Sequence, residues 1–401
     1  MLLTTITFLV FIVTFIYVVT STIIDYSKKR KKTKNPFVSF IIPTYNDCRY
    51  IEKTIKGIYD SYEKKYFEMV IINDCSTDGT LDVLKRLRKS YEFRLICNRN
   101  NLGKSKSINN AFNHTKGEIV FIVDSDTILN KKAMDDVLVR LEDKKVGAVS
   151  CRYRPINKGF WAKMQLIEYG MLSNMQTAYN PFSTLSLWGG CMAVKRSVFA
   201  KAGMFSPNAL SEDMDMALKI GELGLKAQEC KFAVYTLVPE NPKTMYKQKI
   251  RWSSGAMQNY IKHFRFFINH PIAPVFMITY AALTILFIIA LINNISHFGN
   301  FIILFESFRE TSRSIVTAWG LTKLKLGMGL TQTLAVYIIY PLFSLPYLII
   351  NYPHLNKKLH AVLLIIPYSI IYFPIYSIVN LIGFGIAIKK YKTLRREKRA
   401  W

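Results

Sequence analysis

The sequence predicts an α/β domain on a mostly parallel sheet, attached to α-helices that cross a membrane. Three observations carry this reading. Between Pro36 and about Tyr235, short β-branched runs alternate with amphipathic stretches, the pattern of strands joined by crossover helices. Outside that region lie four long stretches without a charged residue: Leu2 to Ile24, Pro271 to Ser296, Leu326 to Asn351 and Ala361 to Ile388. Polar residues, finally, gather where the hydrophobic runs of the middle region end, and in open α/β sheets that edge holds the ligand.

The N-terminal stretch of 23 uncharged residues would span roughly 35 Å as a helix. It lacks a basic n-region and a small-residue cleavage site, so residues 1–25 read as a retained anchor. The basic run "SKKRKKTK" (Ser27 to Lys34) follows directly, and "KKYKTLRREKR" (Lys389 to Arg399) follows the last apolar stretch. The positive-inside rule places both beside anionic lipid on the cytoplasmic face. A net charge of +27 is thereby assigned to membrane flanks, and nucleic acid is not expected as a partner. All six cysteines fall between the first and second apolar stretches without CxxC spacing, as suits reduced thiols in a cytosolic domain and not a zinc site. Placing both basic clusters inside requires an even number of crossings between them, yet three apolar stretches intervene. Either Ala361 to Ile388, which contains Pro367 and Pro374, bends into a hairpin or lies partly in the interface, or Phe298 to Phe305 joins a further crossing.

Within residues 36–240, "FVSFIIPTYN", "FEMVIINDCS", "FRLICNRN", "GEIVFIVDSD" and "VGAVSCRY" read as buried strands. The stretch "STDGTLDVLKRLRKS" reads as a helix with Asp78 near its start as a cap. Asn46, Asp74, Asn98, Asp124 and Asp126 then stand at strand ends. Neither GxGxxG nor GxxxxGK[ST] is present, so neither a dinucleotide nor a Walker-type site is indicated.

Several short motifs bear chemistry. "VDSD" ends a hydrophobic strand with Asp124 and Asp126 two residues apart, where both carboxylates can reach a hard cation. "NDCSTDGT" places Asp74 at a strand end, separate from the turn and cap residues that follow it. "SEDMDMALKI" groups Glu212, Asp213 and Asp215 at a helix start, where acids also suit the helix dipole. "WGG" (Trp188 to Gly190) joins an aromatic side chain, which core packing would equally explain, to glycines that permit close backbone approach. In "YKQKIRWSSG", Arg251 and Trp252 lie three and four residues beyond Gln248, near one face of a helix at the membrane surface. Residues 241–270 form this interfacial helical region, and 271–401 a membrane region of two to four crossings with a basic cytosolic tail.

Each motif alone is ordinary, but their order PTYN, ND, NLGK, DSD, GG, SED and QKIRW resembles the family 2 inverting glycosyltransferases. The resemblance runs from about Phe37 to Gln258. It is to the membrane branch that includes poly-N-acetylglucosamine, hyaluronan and cellulose synthases and ceramide glucosyltransferase. It implies a GT-A fold, Rossmann-like with a mostly parallel sheet, and transfer of a hexose or N-acetylhexosamine from a nucleotide-sugar donor, UDP-linked for preference. It also implies roles. Pro43, Thr44, Tyr45 and Asn46 flank the nucleotide base, and Asp74 accepts a hydrogen bond from it. Asn101, Gly103 and Lys104 face the diphosphate and sugar. Asp124 and Asp126 hold Mg²⁺ or Mn²⁺ and the donor, Asp213 is the catalytic base, and Gln248, Arg251 and Trp252 form QxxRW. Asp47 stands where many members carry Glu; the shorter acid leaves it outside the assigned site.

The acceptor implied is a growing polysaccharide or a lipid-linked sugar, with membrane lipids and an accessory export subunit as further partners. A single-transfer enzyme acting on a membrane lipid is the alternative, because QxxRW occurs there too. A non-catalytic membrane scaffold is the third reading, opposed by the joint presence of the acids and QxxRW.

Overall fold

The computed structural model describes residues 2–275, 278 and 363–397, excepting the side chains of 2–11, 370 and 390–397. Most of 271–296, all of 326–351 and Phe298 to Phe305 lie outside the described residues. The five strands expected from the sequence are present: β1 (Val38–Thr44), β2 (Phe67–Asn73), β3 (Arg94–Cys97), β4 (Ile119–Val123) and β5 (Val146–Pro155). Two more complete the sheet, β6 (Cys191–Lys195) and β7 (Lys226–Thr236), in the order β3-β2-β1-β4-β6-β5-β7. The pairs β3/β2, β2/β1, β1/β4 and β5/β7 are parallel, while β6 runs antiparallel to both β4 and β5. The sheet is therefore mixed but mostly parallel.

Both faces of the central strands are buried, which explains their unbroken apolar runs. Phe40, Ile42, Met69, Ile71, Phe121 and Val123 pack on one face with α2 (Ile51–Ser61) and α5 (Lys131–Leu141). Ile41, Val70, Ile72, Val120 and Ile122 face the other way, against α4 (Lys104–Phe112), α7 (Arg196–Lys201) and α8 (Glu212–Glu222). The remaining sheet helix, α3 (Thr80–Leu87), begins where expected. Asp78 lies one residue ahead of its N-cap Gly79, and the Asp78 carboxylate accepts from the Thr80 N–H at 2.9 Å.

Parallel pairing sets the site. The registers Thr44↔Asn73 and Asn73↔Cys97 bring Tyr45, Asp74 and Asn98 to one edge of the sheet. Val123↔Cys191 pairs the end of β4 with the start of antiparallel β6, so the chain just before β6 arrives beside Asp124.

A second layer joins this domain to the flanking helices. The 20-residue α6 (Phe160–Tyr179) packs against α1 (Leu2–Ser27), α9 (Pro242–Lys262), α10 (Phe264–Asn269) and the C-terminal helix through Met164, Ile167, Met171, Val18, Met245, Phe267 and Tyr372. The last apolar stretch, where described, is one continuous helix: Ile365–Pro367, a π-helical turn at Tyr368–Tyr372, and α11 (Phe373–Glu397). A hairpin within it is thus set aside. Pro374 has no N–H to donate back along the helix, and the π turn just before it absorbs the mismatch. Among the described residues, no helix is long and apolar enough to cross a membrane. The side chains of residues 2–11, which complete the apolar run of α1, lie outside that description.

The basic run after α1 is partly engaged by the domain. Lys32 pairs with Asp135 at 2.7 Å, Arg30 with Asp25 at 2.8 Å, and Asp25 with Arg140 of α5 at 2.6 Å. Lys28, Lys29, Lys31 and Lys34 remain exposed.

Candidate active site

At the β1 edge, Pro43 and Thr44 are buried, and the Thr44 hydroxyl is a buried polar atom without a hydrogen-bond partner among the described residues. Asn46 (φ +56°) and Cys75 (φ +62°) both adopt the left-handed region just past adjacent strands, a conformation Asn accepts better than most side chains. The Asn46 side-chain carbonyl takes the Thr77 N–H at 2.8 Å, and the Asn46 N–H donates to Ser76 Oγ at 3.0 Å. These bonds turn the two loops toward each other and leave Tyr45 47% exposed at the rim, available to stack.

Asp74 is buried and organises the neighbouring loop. Its carboxylate accepts from Asn98 Nδ2 (2.7 Å), Leu102 N–H (2.9 Å) and Gly103 N–H (2.8 Å). Burial opposes its charge, but the Leu102, Asn98, Ser107 and Gly103 donors prevail and hold the carboxyl below its ordinary range. Asn101 Oδ1 accepts from the same Gly103 N–H at 3.1 Å. Gly103, at φ +82°, then starts α4 and delivers Lys104.

Lys104 is the centre of the site. Its Nζ lies 2.5 Å from Asp124 Oδ1 and 3.8 Å from Glu212 Oε1, and donates to the Gly189 carbonyl at 3.2 Å. Burial alone would disfavour the ammonium; Asp124 and Glu212 outweigh it and keep the lysine firmly charged. The Gly189 N–H donates to Asp213 Oδ2 at 3.1 Å, and Gly190 C=O accepts from the Asp124 N–H at 2.9 Å. Both glycines are required by space. A Cβ on Gly189 would fall 2.8 Å from Asp213 Oδ2, and one on Gly190 would fall 2.9 Å from Asp124 Oδ2 and 2.4 Å from Tyr153 Oη. Trp188 is core, donating from Nε1 to buried Glu229 at 2.7 Å.

Asp213 sits in the first turn of α8, where Met214 N–H donates to its Oδ1 at 2.8 Å. Burial, then the neighbouring Glu212, push its carboxyl up to about 6, against the pull of the Met214 N–H, Lys104 and Arg251. Asp126 is pushed up to about 7 by burial and by Asp124 and Asp47. Asp47, omitted from the sequence assignment, is brought in by the Ser125 hydroxyl, which donates to its carboxylate.

On α9, capped by Asn241 and begun by Pro242, Arg251 is exposed and donates to Leu210 C=O at 3.2 Å. Trp252 is half-buried, its ring 6.4 Å from Trp188 and 6.1 Å from Tyr169. Gln248 Oε1 is likewise a buried polar atom without a partner among the described residues. The structure therefore gathers Lys104, Asp124, Asp126, Asp213 and Arg251, with Gln248 and Trp252 alongside on α9 and the Asp74 loop behind them. Gly189, Gly190, Glu212 and Tyr153 complete the group; only the paired glycines and the SED cluster signalled any of these in the sequence.

Among the described residues, no three or more His, Cys, Asp or Glu side chains could hold a metal by themselves. The Asp124/Asp126 pair still fits Mg²⁺ or Mn²⁺. Burial first, and then the like charges of Asp124 and Asp47, raise Asp126; a cation would relieve the repulsion, and such ions take most of their shell from water and substrate phosphate.

Residues 39–203 match the family Glycosyl transferase family 2. The chain is 28% identical over 235 residues to a poly-beta-1,6-N-acetyl-D-glucosamine synthase of Staphylococcus aureus (strain COL), covering 57% of this chain and 56% of that protein. It is also 28% identical over 231 residues to the probable glycosyltransferase YdaM of Bacillus subtilis (strain 168), covering 55% of each. The chain thus spans about half the length of the curated relatives it matches. A solved structure of the mannosyltransferase PcManGT from Pyrobaculum calidifontis, in complex with GDP-Man and Mn²⁺, superposes with a TM-score of 0.58 at 20% identity, over 91% of this chain and 96% of that one. That likeness concerns the fold. With the motifs and their convergence, these matches make residues 39–203 similar to glycosyl transferase family 2.

Proposed function

We propose that this chain is a membrane-bound inverting glycosyltransferase that extends a polysaccharide from a nucleotide-sugar donor. The observation that carries the reading is the position of Lys104, in contact with Asp124 on one side and near Glu212 on the other, beside Asp213. A donor's diphosphate and the hydroxyl that displaces it require charges of this kind within one cleft.

The base lies between Tyr45 and the Asp74 loop, and the diphosphate meets Asn101, Gly103 and Lys104. Asp124 and Asp126 would hold Mg²⁺ or Mn²⁺, which when bound supplies a Lewis acid to the departing diphosphate. Lys104 and Arg251 add fixed positive charge where negative charge grows. Asp213 takes the proton of the acceptor hydroxyl as that oxygen bonds to the anomeric carbon. The bond to the diphosphate breaks on the opposite face, and the configuration inverts. General-base help of this type is worth about 10²–10⁴-fold. Trp252 offers an aromatic face to the acceptor sugar.

The unit transferred is an N-acetylhexosamine or hexose, UDP-linked; the name of the synthase relatives, which build poly-beta-1,6-N-acetyl-D-glucosamine, supports the N-acetylhexosamine. The catalytic domain is assigned to the cytoplasmic side of the plasma membrane. The uncharged stretch 2–24, the basic flanks, and the exposed Ile16, Ile24, Ile366, Ile378 and Ile382 on the flanking helices support this. An export subunit belongs to the same reading.

A screen of UDP- and GDP-sugars with Mn²⁺ or Mg²⁺, read as nucleoside diphosphate release, tests the proposal. Turnover is expected with at least one donor. Asp213→Asn should bind that donor normally and lose transfer by more than about 10²-fold, while Asp126→Ala should lose metal-dependent donor binding. A product ladder on mass analysis supports extension; one glycolipid product would assign single transfer to a lipid. An Asp213→Asn variant as active as wild type would remove the base from the mechanism.

A further inference from the structure

Lys249 stands inside the QxxRW segment between Gln248 and Arg251, yet it points away from the charges of the cleft into the helix-packing layer. It is 1% exposed. Its Nζ lies 2.8 Å from both carboxylate oxygens of Glu168 on α6, and Glu168 is fully buried. The Tyr372 hydroxyl, from the π turn ahead of α11, donates to Glu168 Oε2 at 2.5 Å. The same ammonium sits 4.0 Å from the centre of the Trp252 ring, one turn along α9, and 5.2 Å from Tyr169. α9 and α11 are also joined by Ser253 Oγ to Asn380 Oδ1 and Ser254 Oγ to Gly383 C=O, each at 2.9 Å.

A buried ion pair is weak evidence of stabilisation, since an apolar pair of the same volume often serves as well. Stability alone does not account for a lysine here. A desolvated cation against an indole face does have a directional effect on the ring. Trp252 touches Trp188 and Tyr169, and Trp188 leads into the glycine that holds Asp213.

We infer that Lys249 is a positioning residue: clamped by Glu168, which Tyr372 in turn holds, it fixes the Trp252 ring at the acceptor end of the site and makes that placement depend on the C-terminal helix. This rests on the acceptor role given to Trp252 above. The pair acts on the acceptor and not on the donor, because its contacts run to α6 and the C-terminal helix and, among the described residues, none reaches the Asp74 loop or Asp124.

The test uses the full-length chain in detergent or vesicles and compares Lys249→Met with Lys249→Met/Glu168→Gln. The double variant leaves no unpaired buried charge should the single one fail to fold. In the folded variant, donor affinity should stay within about twofold. The acceptor KM should rise about tenfold, equivalent to about 1.4 kcal/mol, the scale of one desolvated cation–π contact. Indole emission should shift in an otherwise wild-type chain and not in a Trp252→Phe background. Tyr372→Phe should move both readings the same way by less. An unchanged acceptor KM in a folded double variant overturns the inference, as does an emission shift that persists without Trp252. Absence of any donor turnover by wild type would refute the proposed function instead, and the emission comparison would still report whether Lys249 sets the ring.

Discussion

Asp126 and Asp213 hold protons more tightly than exposed carboxyls do, and for each the cause is burial followed by a like charge: Asp124 and Asp47 for one, Glu212 for the other. In the proposed mechanism Asp213 is ionised to accept a proton, so turnover should climb as pH rises through about 6, measured as diphosphate release under saturating donor. The consequence for stability has the opposite sign. A carboxyl whose folded pKa exceeds its unfolded value binds more protons when folded, so stability falls as pH rises across that interval. Asp126→Asn should therefore stabilise the metal-free protein. The gain should grow from about pH 4 to the Asp126 value of about 7 and level off above it, on the order of 1 kcal/mol or more, visible as a higher Tm. Divalent metal should raise the wild-type Tm and leave the variant's unchanged. Asp215 behaves conversely. Despite burial, bonds from His263, Lys262, Ser206 and Lys219 hold its carboxyl well down, so its contribution is present at neutral pH and lost as pH falls below the ordinary Asp range.

Antiparallel β6 is the element that makes the cleft, because its pairing with β4 inserts Gly189 and Gly190 between Asp124 and Asp213. Gly190→Ala would push its methyl against Tyr153 Oη and Asp124 Oδ2. A displacement of about 1 Å there should cost about 10²-fold in kcat/KM, with a smaller loss of Tm, because the strand itself keeps its ladder. Four strands of the first part of the domain were legible because apolar runs buried on both faces have few alternatives, whereas β3, expected to be buried, is an edge strand with Arg94 and Cys97 exposed. β7 escaped notice for a physical reason. Lys226, Gln228, Glu229 and Lys231 break up any apolar run there, yet Glu229 is fully buried beside Arg152 at 3.1 Å and Trp188. That compensation exists only across the sheet. Asp74 shows the same limit: its place at a strand end was readable, whereas its grip on Leu102 and Gly103 depends on a loop that returns from the next strand.

For the molecule as a whole, the cysteines give a test of orientation. Cys97 is exposed, Cys48 and Cys75 are half-buried, and Cys151, Cys191 and Cys230 are buried. If the domain faces the cytoplasm, a membrane-impermeant maleimide should label Cys97 only after cells are permeabilised. Equal labelling of intact cells would put the domain outside and undo the assigned topology. Charge shows how far the sequence reaches at this scale. It located the basic runs at the ends of apolar stretches, but Arg30 and Lys32 are held by Asp25 and Asp135, so only part of the first run is free of the domain's acids. The chain by itself determined the strand–helix alternation, the apolar flanks and the places of the DSD, SED and QKIRW motifs, because local pattern and residue type suffice to find these. Only the tertiary structure decided that Lys104 bridges the acids, that β6 turns back, and that Lys249 lies beneath Trp252. Each of those depends on groups far apart in the chain sharing one desolvated volume, where charge and close contact outweigh local preference.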